Sequence, residues 1–213
     1  MGIIHHGAPT ELILALKRES GIENFYETGT LVGDTAAWAA NHFKRVVTIE
    51  NEPERHKKAA ERFRERGNVK GSVVVLLAES SKIMSECSGL TSPAIFWLDA
   101  HWMGAGSGTG GEGRECPVLA EIAGINSCWI NPPGHIILVD DARLFSAPPP
   151  SPQDASQWPD LNAVVSALDF QGKRYVVLFE DALIAVPMSM KPFLVKYLQK
   201  RITEAWLVRN GLK

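Results

Sequence analysis

Cysteine is scarce in this chain: Cys87, Cys116 and Cys128 are the only three among 213 residues. An odd number at wide spacing forms neither a zinc pattern nor a disulfide framework. A reducing, cytoplasmic setting suits such usage. Long apolar runs are missing as well. None approaches the roughly 20 residues that span a bilayer, and no signal-peptide pattern is visible, so no membrane association is expected. Positive charge is not in excess either: the formal net charge is -2, without the basic footprint that nucleic acid demands. No internal repeat occurs, and no linker is long enough to divide the chain. His5 and His6 are too few for a metal tract and read as a solvated terminus. What is present is the balance of a globular protein, with 45% hydrophobic and 22% charged residues. The length suffices for one α/β domain with a full core, so residues 1–213 are expected to form a single domain.

The most informative stretch runs from Asn24 to Glu54. Phe25–Glu27 reads as a strand, Gly29 and Gly33 as a turn, Thr35–Phe43 as a helix, and Val46–Glu50 as a second strand ending in an acid. Two glycines let the backbone approach a ligand closely and enter a helix whose N-terminus favours polar or anionic groups. An acid roughly 20 residues beyond such a turn suits a ribose diol. Glu50 could instead cap the helix that begins near Pro53, with Asn51 available for the same work.

Before this stretch, Thr10 is the expected N-cap of a helix through Leu16 that Gly21 ends, and residues 1–23 should cover a sheet edge. After it, Pro53 opens a charged helix, Glu54–Arg66, with a solvated face. Val73–Leu77 is continuously apolar, which predicts a strand buried on both faces. Glu79 and Ser80 follow as loop and cap, either helix N-caps or contacts to the base of a nucleoside, before a helix near Ile83–Ser85. Ala94–Leu98 is the fourth strand and runs into Asp99, Ala100, His101 and Trp102. The glycine-rich segment Gly104–Gly113 is a loop. A helix opening at Cys116 reaches about Ser127, and His135–Val139 is a fifth strand ending in Asp140 and Asp141. Ala147–Pro159 is a proline-rich irregular stretch. Leu161–Leu168 is helical, and Tyr175–Phe179 and Leu183–Val186 form a terminal hairpin. From Met190 the chain is helical, with Phe193, Leu194, Tyr197, Leu198, Ile202 and Trp206 at helical spacing.

Alternating strands and helices predict a doubly wound, mostly parallel, seven-stranded α/β sheet with helices on both faces and a terminal antiparallel hairpin. Ligands in such sheets bind beyond the C-terminal strand ends. That rule gathers Glu27, Gly29, Thr30, Gly33, Glu50, Glu79, Ser80, Asp99, His101, Asp140 and Asp141 on one rim. Segments 103–114 and 147–159 leave the same rim and are candidate lids. Three carboxylates at two adjacent strand ends repel without a cation, and hard oxygen ligands suit magnesium or calcium. Loop acids in solvent are the plain alternative. Trp97 and Trp102 read as packing, Arg143 as an offset to local negative charge, and Glu115 and Glu121 as helix charge only.

Glu27-x-Gly29-x-x-x-Gly33 with Glu50 resembles the cofactor half of class I S-adenosylmethionine (SAM)-dependent methyltransferases, and the terminal hairpin fits that fold. Leu98-Asp99-Ala100-His101 with Val139-Asp140-Asp141 is similar to the magnesium-dependent macrocin O-methyltransferase-like group, which acts on antibiotic sugars. The resemblance implies SAM as cofactor, held by Glu27, Gly29, Thr30, Gly33, Glu50, Glu79 and Ser80. It implies Mg2+ on Asp99, Asp140 and Asp141, and His101 as base beside Asp99. The chain departs from that group in having no large N-terminal addition to shape a macrolide-sized pocket, so the resemblance speaks for methyl transfer more than for a sugar substrate; the expected partner is a small hydroxylated acceptor, sugar-like or a natural product. A homo-oligomer is compatible with the sequence. Two other functions compete. A nicotinamide-dependent oxidoreductase is disfavoured, because the turn lacks Gly-x-Gly-x-x-Gly spacing and no Tyr-x-x-x-Lys pair occurs. An inactive cofactor- or sugar-binding module would bind without turnover.

Overall fold

The computed structural model describes residues 7–65, 71–86, 92–102, 115–128 and 131–212. In chain order the elements are α1 (Thr10–Ser20), β1 (Asn24–Thr28), α2 (Asp34–Ala39), β2 (Arg45–Glu50), α3 (Pro53–Glu65) and β3 (Ser72–Leu77). There follow α4 (Ser80–Ser85), β4 (Ala94–Leu98), α5 (Val118–Cys128), β5 (Ile136–Val139), the single turn α6 (Arg143–Ser146), α7 (Leu161–Asp169), β6 (Arg174–Phe179), β7 (Ala182–Pro187) and α8 (Lys191–Arg209).

The seven strands lie in the order β3-β2-β1-β4-β5-β7-β6. β7 runs antiparallel to both its neighbours, while the pairs from β3 across to β5 are all parallel. The chain therefore winds outward from β1 to β3, then returns to the other side at β4. The C-terminal ends of β1 and β4 mark the crevice between the two halves. Register brings those ends level: Thr28 pairs with Ile49 and with Leu98, and Leu98 pairs with Val139.

Strand alternation divides the core in two. Tyr26, Phe96, Leu98, Ile137 and Val139 face Ile122 and Ile125 of α5 and Val164 and Leu168 of α7. Phe25, Ile95, Trp97, Ile136 and Leu138 face Ile13 and Leu16 of α1, Ala36 and Ala39 of α2, and Leu194 and Leu198 of α8. Each large side chain so buried contributes about 1.5–3 kcal/mol. Helix α1 thus covers a face of the sheet, not an edge as its position in the chain suggested.

Several local expectations change. Val73–Leu77 is an edge strand, with Val74 40% and Leu77 51% exposed. An apolar run carries no record of how many neighbours the strand will have. Pro9 occupies the N-cap position of α1, and Thr10 is its first residue with no side-chain cap; Gly21 does end the helix, in the left-handed conformation. The Glu50 side chain bonds the Glu52 amide, short of α3, and is not the residue that caps the first amides of that helix. Glu52 is, accepting from the amides of Glu54 and Arg55 at 3.1 and 2.7 Å. Helix α2 stops at Ala39 instead of Phe43, and the Asn41 side chain bonds back to the Ala37 carbonyl.

Candidate active site

The site begins at the turn after β1. Gly29 has φ +81°, and a Cβ there would lie 2.3 Å from the Asp99 carbonyl oxygen. The two halves of the sheet touch backbone to backbone at this point, which only glycine permits. Gly33, also left-handed, opens α2 against the Phe63 ring. Between them the Leu31 amide donates to Glu50 Oε2 at 2.9 Å. Glu50 Oε1 accepts from the Glu52 amide at 3.0 Å. Glu50 is 5% exposed, and a carboxylate with two such bonds keeps lone pairs for two more donors.

Behind the turn runs a buried polar chain. Thr48 Oγ1 donates to Glu27 Oε2 at 2.7 Å, and Thr30 Oγ1 lies 2.6 Å from Thr48 Oγ1. With Thr48 donating to the carboxylate, Thr30 must donate to Thr48. Burial pushes the Glu27 carboxyl up to about 8, and the nearby Asp99 charge adds to the effect. Glu79 is the N-cap residue of α4 but its side chain makes no capping bond. Ser80 is buried, and its hydroxyl bonds to Glu121.

Beyond β4, Asp99 is fixed by its own amide, which bonds to the Thr28 carbonyl and hydroxyl. Burial raises its carboxyl to about 6, against the lowering effect of His101. Beyond β5, the Asp140 amide reaches the Leu98 carbonyl. Burial, then the charges of Asp99 and Asp141, push Asp140 up to about 8. Asp141 has φ +53°, a left-handed conformation that aspartate tolerates better than most residues. Its amide bonds to Asp140 Oδ1 at 2.7 Å.

Asp141 Oδ2 meets His101 Nε2 at 2.5 Å, and Asp141 Oδ1 pairs with the Arg143 guanidinium. Arg143 also pairs with Asp181, which accepts from the Arg143 amide as well. Burial alone would raise Asp141, but His101 and Arg143 hold it below the usual carboxylate range. Burial disfavours the His101 imidazolium. The Asp141 bond and the charges of Asp99, Asp141 and Asp140 overcome this and raise its value. His101 Nε2 lies 3.9 Å from Asp99 Oδ1. Asp141 thus orients the ring, leaving Nδ1 as the nitrogen to accept a proton.

The expected three-aspartate metal set needs correction in one respect. Among the described residues no group of three or more His, Cys, Asp or Glu side chains is arranged to hold an ion. Asp141 has both oxygens engaged by His101 and Arg143. The Asp99 charge adds to the raised proton affinity of Asp140, and the Asp141 charge to that of Asp99.

No protein-family model matches the sequence, and no curated protein matches it. Solved structures do. The O-methyltransferase TomG from Streptomyces achromogenes, involved in tomaymycin synthesis and solved with SAM, matches with a TM-score of 0.56 at 18% identity. The match covers 86% of this chain and 82% of that one. An O-methyltransferase from Bacillus cereus solved with SAH matches at 0.55 and 17% identity, over 85% and 83% of the two chains. A putative caffeoyl-CoA O-methyltransferase from Staphylococcus aureus matches at 0.57 and 12%, over 87% and 86%. The chain has the class I methyltransferase fold.

Within the methyltransferase fold, some residues near the site escaped the sequence reading. Glu121 is 1% exposed and reaches Ser80 and Thr28; burial pushes it up to about 7. It shares the buried stripe of α5 with Val118, Ile122 and Ile125, so its spacing was a legible signal. Glu115 ties the proline-rich segment down. Its Oε2 accepts from the Asp154 amide and the Trp158 indole, at 2.9 and 2.8 Å, and its carbonyl accepts from Trp102. Trp158 is buried and stands edge-on to His101, with ring centroids 5.7 Å apart. Side chains thus hold the expected lid segment, 147–159, beside His101. The other expected lid, 103–114, lies outside the described residues.

Proposed function

We propose that this chain is a SAM-dependent O-methyltransferase acting on a small hydroxylated acceptor. One observation carries the reading. The Gly29 backbone lies directly on Asp99 at the crevice between the sheet halves, with Glu50 on one side and the Asp141–His101 pair on the other. This fits a nucleoside sulfonium. The glycine turn forms a cradle that a Cβ would fill, and Glu50 has lone pairs left for a ribose diol. SAM supplies an electrophilic methyl group on a positively charged sulfur. The acceptor oxygen must then reach it in line and lose its proton.

His101 is the residue to take that proton. Asp141 holds Nε2 and stabilises the charged ring, so Nδ1 faces the chemistry with histidine's near-neutral basicity. Trp158 shields the ring from water. Where Mg2+ takes part, Asp99 and Asp140 are the oxygen donors left to hold it, with water and acceptor hydroxyls completing the shell. The ion would lower the acceptor's pKa. Glu79 and Ser80 border the end of β3, and Ser80 acts through Glu121 in shaping that side.

Titration calorimetry with S-adenosylhomocysteine tests the reading. Each charge-assisted bond from a ribose hydroxyl to Glu50 is worth roughly 1.5–3 kcal/mol. Glu50→Ala should therefore bind at least about tenfold more weakly than the parent protein. Equal affinity removes Glu50 from the site, and no affinity in the parent protein removes the function.

A further inference from the structure

Asp181 has no part in the chemistry proposed above, yet it is tied to the site from the far end of the chain. It is buried in the turn between β6 and β7. Its carbonyl accepts from the Ala142 amide at 2.9 Å, and its Oδ1 accepts from the Arg143 amide at 3.0 Å. Its Oδ2 pairs with the Arg143 guanidinium. A hairpin closes through its own turn backbone. The Asp181 carboxylate instead serves a residue 38 positions earlier in the chain.

The same guanidinium pairs with Asp141 Oδ1, and Asp141 Oδ2 meets His101 Nε2 at 2.5 Å. Four side chains therefore stand in one line from the terminal hairpin to the base: Asp181, Arg143, Asp141, His101. Chemistry fixes the direction of the last bond. His101 and Arg143 hold Asp141 as a carboxylate, and a carboxylate only accepts. His101 Nε2 therefore carries its proton whether the ring is neutral or charged. Asp141 and Asp181 are both buried, and they share one partly exposed guanidinium. A buried carboxylate stripped of its partner is costly, so each keeps Arg143 in place for the other. Asp141 depends on that hold, because its φ of +53° is a backbone conformation that sterics disfavour.

We infer that Asp181 is a positioning residue for the base: acting through Arg143, it holds the Asp141 carboxylate against His101 Nε2 and so keeps Nδ1 turned to the acceptor. This role rests on the methyltransferase reading and deepens it, while the line of bonds itself is measured without cofactor or acceptor.

The test follows the His101 ring N–H by proton–nitrogen NMR of the full chain carrying isotope-labelled histidine, with no ligand added. A ring proton bonded to a buried carboxylate exchanges slowly with water, and its signal is identified by its loss in His101→Gln. His135 is the internal control. It is fully buried, and its Nδ1 accepts from the Ala94 amide at 3.0 Å, so its ring proton also lies on Nε2. Losing one charge-assisted bond shifts an opening equilibrium by at least about tenfold. In Asp181→Asn, which keeps size and shape, the His101 ring proton should exchange at least about tenfold faster while that of His135 is unchanged. Arg143→Gln should do the same. Adding Asp181→Asn to Arg143→Gln should bring no further acceleration, because a residue that acts through another is silent once the other is gone. Asp181→Ser, which can accept from the Arg143 amide but lacks the charge for the guanidinium, carries the same expectation should Asp181→Asn not fold. Unchanged His101 exchange in the Asp181 variant, additive effects in the double variant, or equal acceleration of His101 and His135 overturns the inference; the last makes Asp181 a residue of the fold as a whole. Titration of the parent protein with S-adenosylhomocysteine decides the methyltransferase reading separately.

Discussion

Gly29→Ala is the sharpest perturbation of the site's architecture. A Cβ at this position would stand 2.3 Å from the Asp99 carbonyl oxygen, 2.9 Å from its carbon and 3.2 Å from the Ala100 Cα. All three are backbone atoms, so no rotamer change relieves the contact. The φ of +81° adds the cost of a left-handed conformation, about 1–2 kcal/mol for a residue with a side chain. Overpacking in a well-filled site costs about 1–3 kcal/mol more. The expected loss is about 2–5 kcal/mol out of a total stability of roughly 5–15 kcal/mol. In a chain of this size that lowers Tm by about 4–20 °C. Gly21→Ala is the internal control. Its φ is +70°, but nothing lies within 4 Å of its added Cβ, so it carries the conformational cost alone. Differential scanning calorimetry of the two variants isolates the contact between the sheet halves. If Gly29→Ala costs no more than Gly21→Ala, the sheet halves do not meet tightly at Gly29 and the cradle argument fails.

Three further predictions concern chemistry and pH. His101→Ala should keep S-adenosylhomocysteine affinity but lose about 10²–10⁴-fold in turnover on a confirmed acceptor, the usual cost of a positioned base; turnover within a few-fold of the parent places the base elsewhere. Glu27 and Glu121 are raised above the ordinary 4.5 to about 8 and about 7, chiefly by burial. Their stabilising contribution is therefore complete below the unfolded value and is lost as pH rises through the folded values. Stability against urea without ligand should fall between pH 5 and pH 8 by a few kcal/mol, since each tenfold change in proton affinity is worth about 1.4 kcal/mol, and Glu27→Gln should flatten the slope; a rise over that interval contradicts the assignment. Methyl transfer should fall in excess chelator and return with magnesium, while full activity in protein shown metal-free by elemental analysis leaves Asp99 and Asp140 without an ion.

The sequence by itself determined the order of elements and the convergence of polar residues on one rim. Local rules suffice for that. Ala94–Leu98 is a strand because five apolar residues sit between turn signals, and its observed bounds agree. Gly21, Gly29 and Gly33 mark turns because backbone sterics are read one residue at a time, and all three are left-handed. Once strands and helices alternate, chain geometry puts every β-to-α turn on the same side, so Glu27, Glu50, Asp99 and Asp140 had to meet.

Tertiary structure decided what each residue does after arriving. Val73–Leu77 is as apolar as an inner strand but lies at the edge, because strand order depends on where the chain reverses its winding. Asp141 reads like Asp140 in sequence, yet it has a left-handed backbone and its carboxylate is engaged by His101 and Arg143. Glu115 and Glu121 looked like ordinary helix charge. One anchors a segment 39 residues distant along the chain, and the other is buried against Ser80 and Thr28. Burial, pairing and proton affinity depend on neighbours remote in sequence, and those neighbours exist only once the sheet has closed its two halves at Gly29.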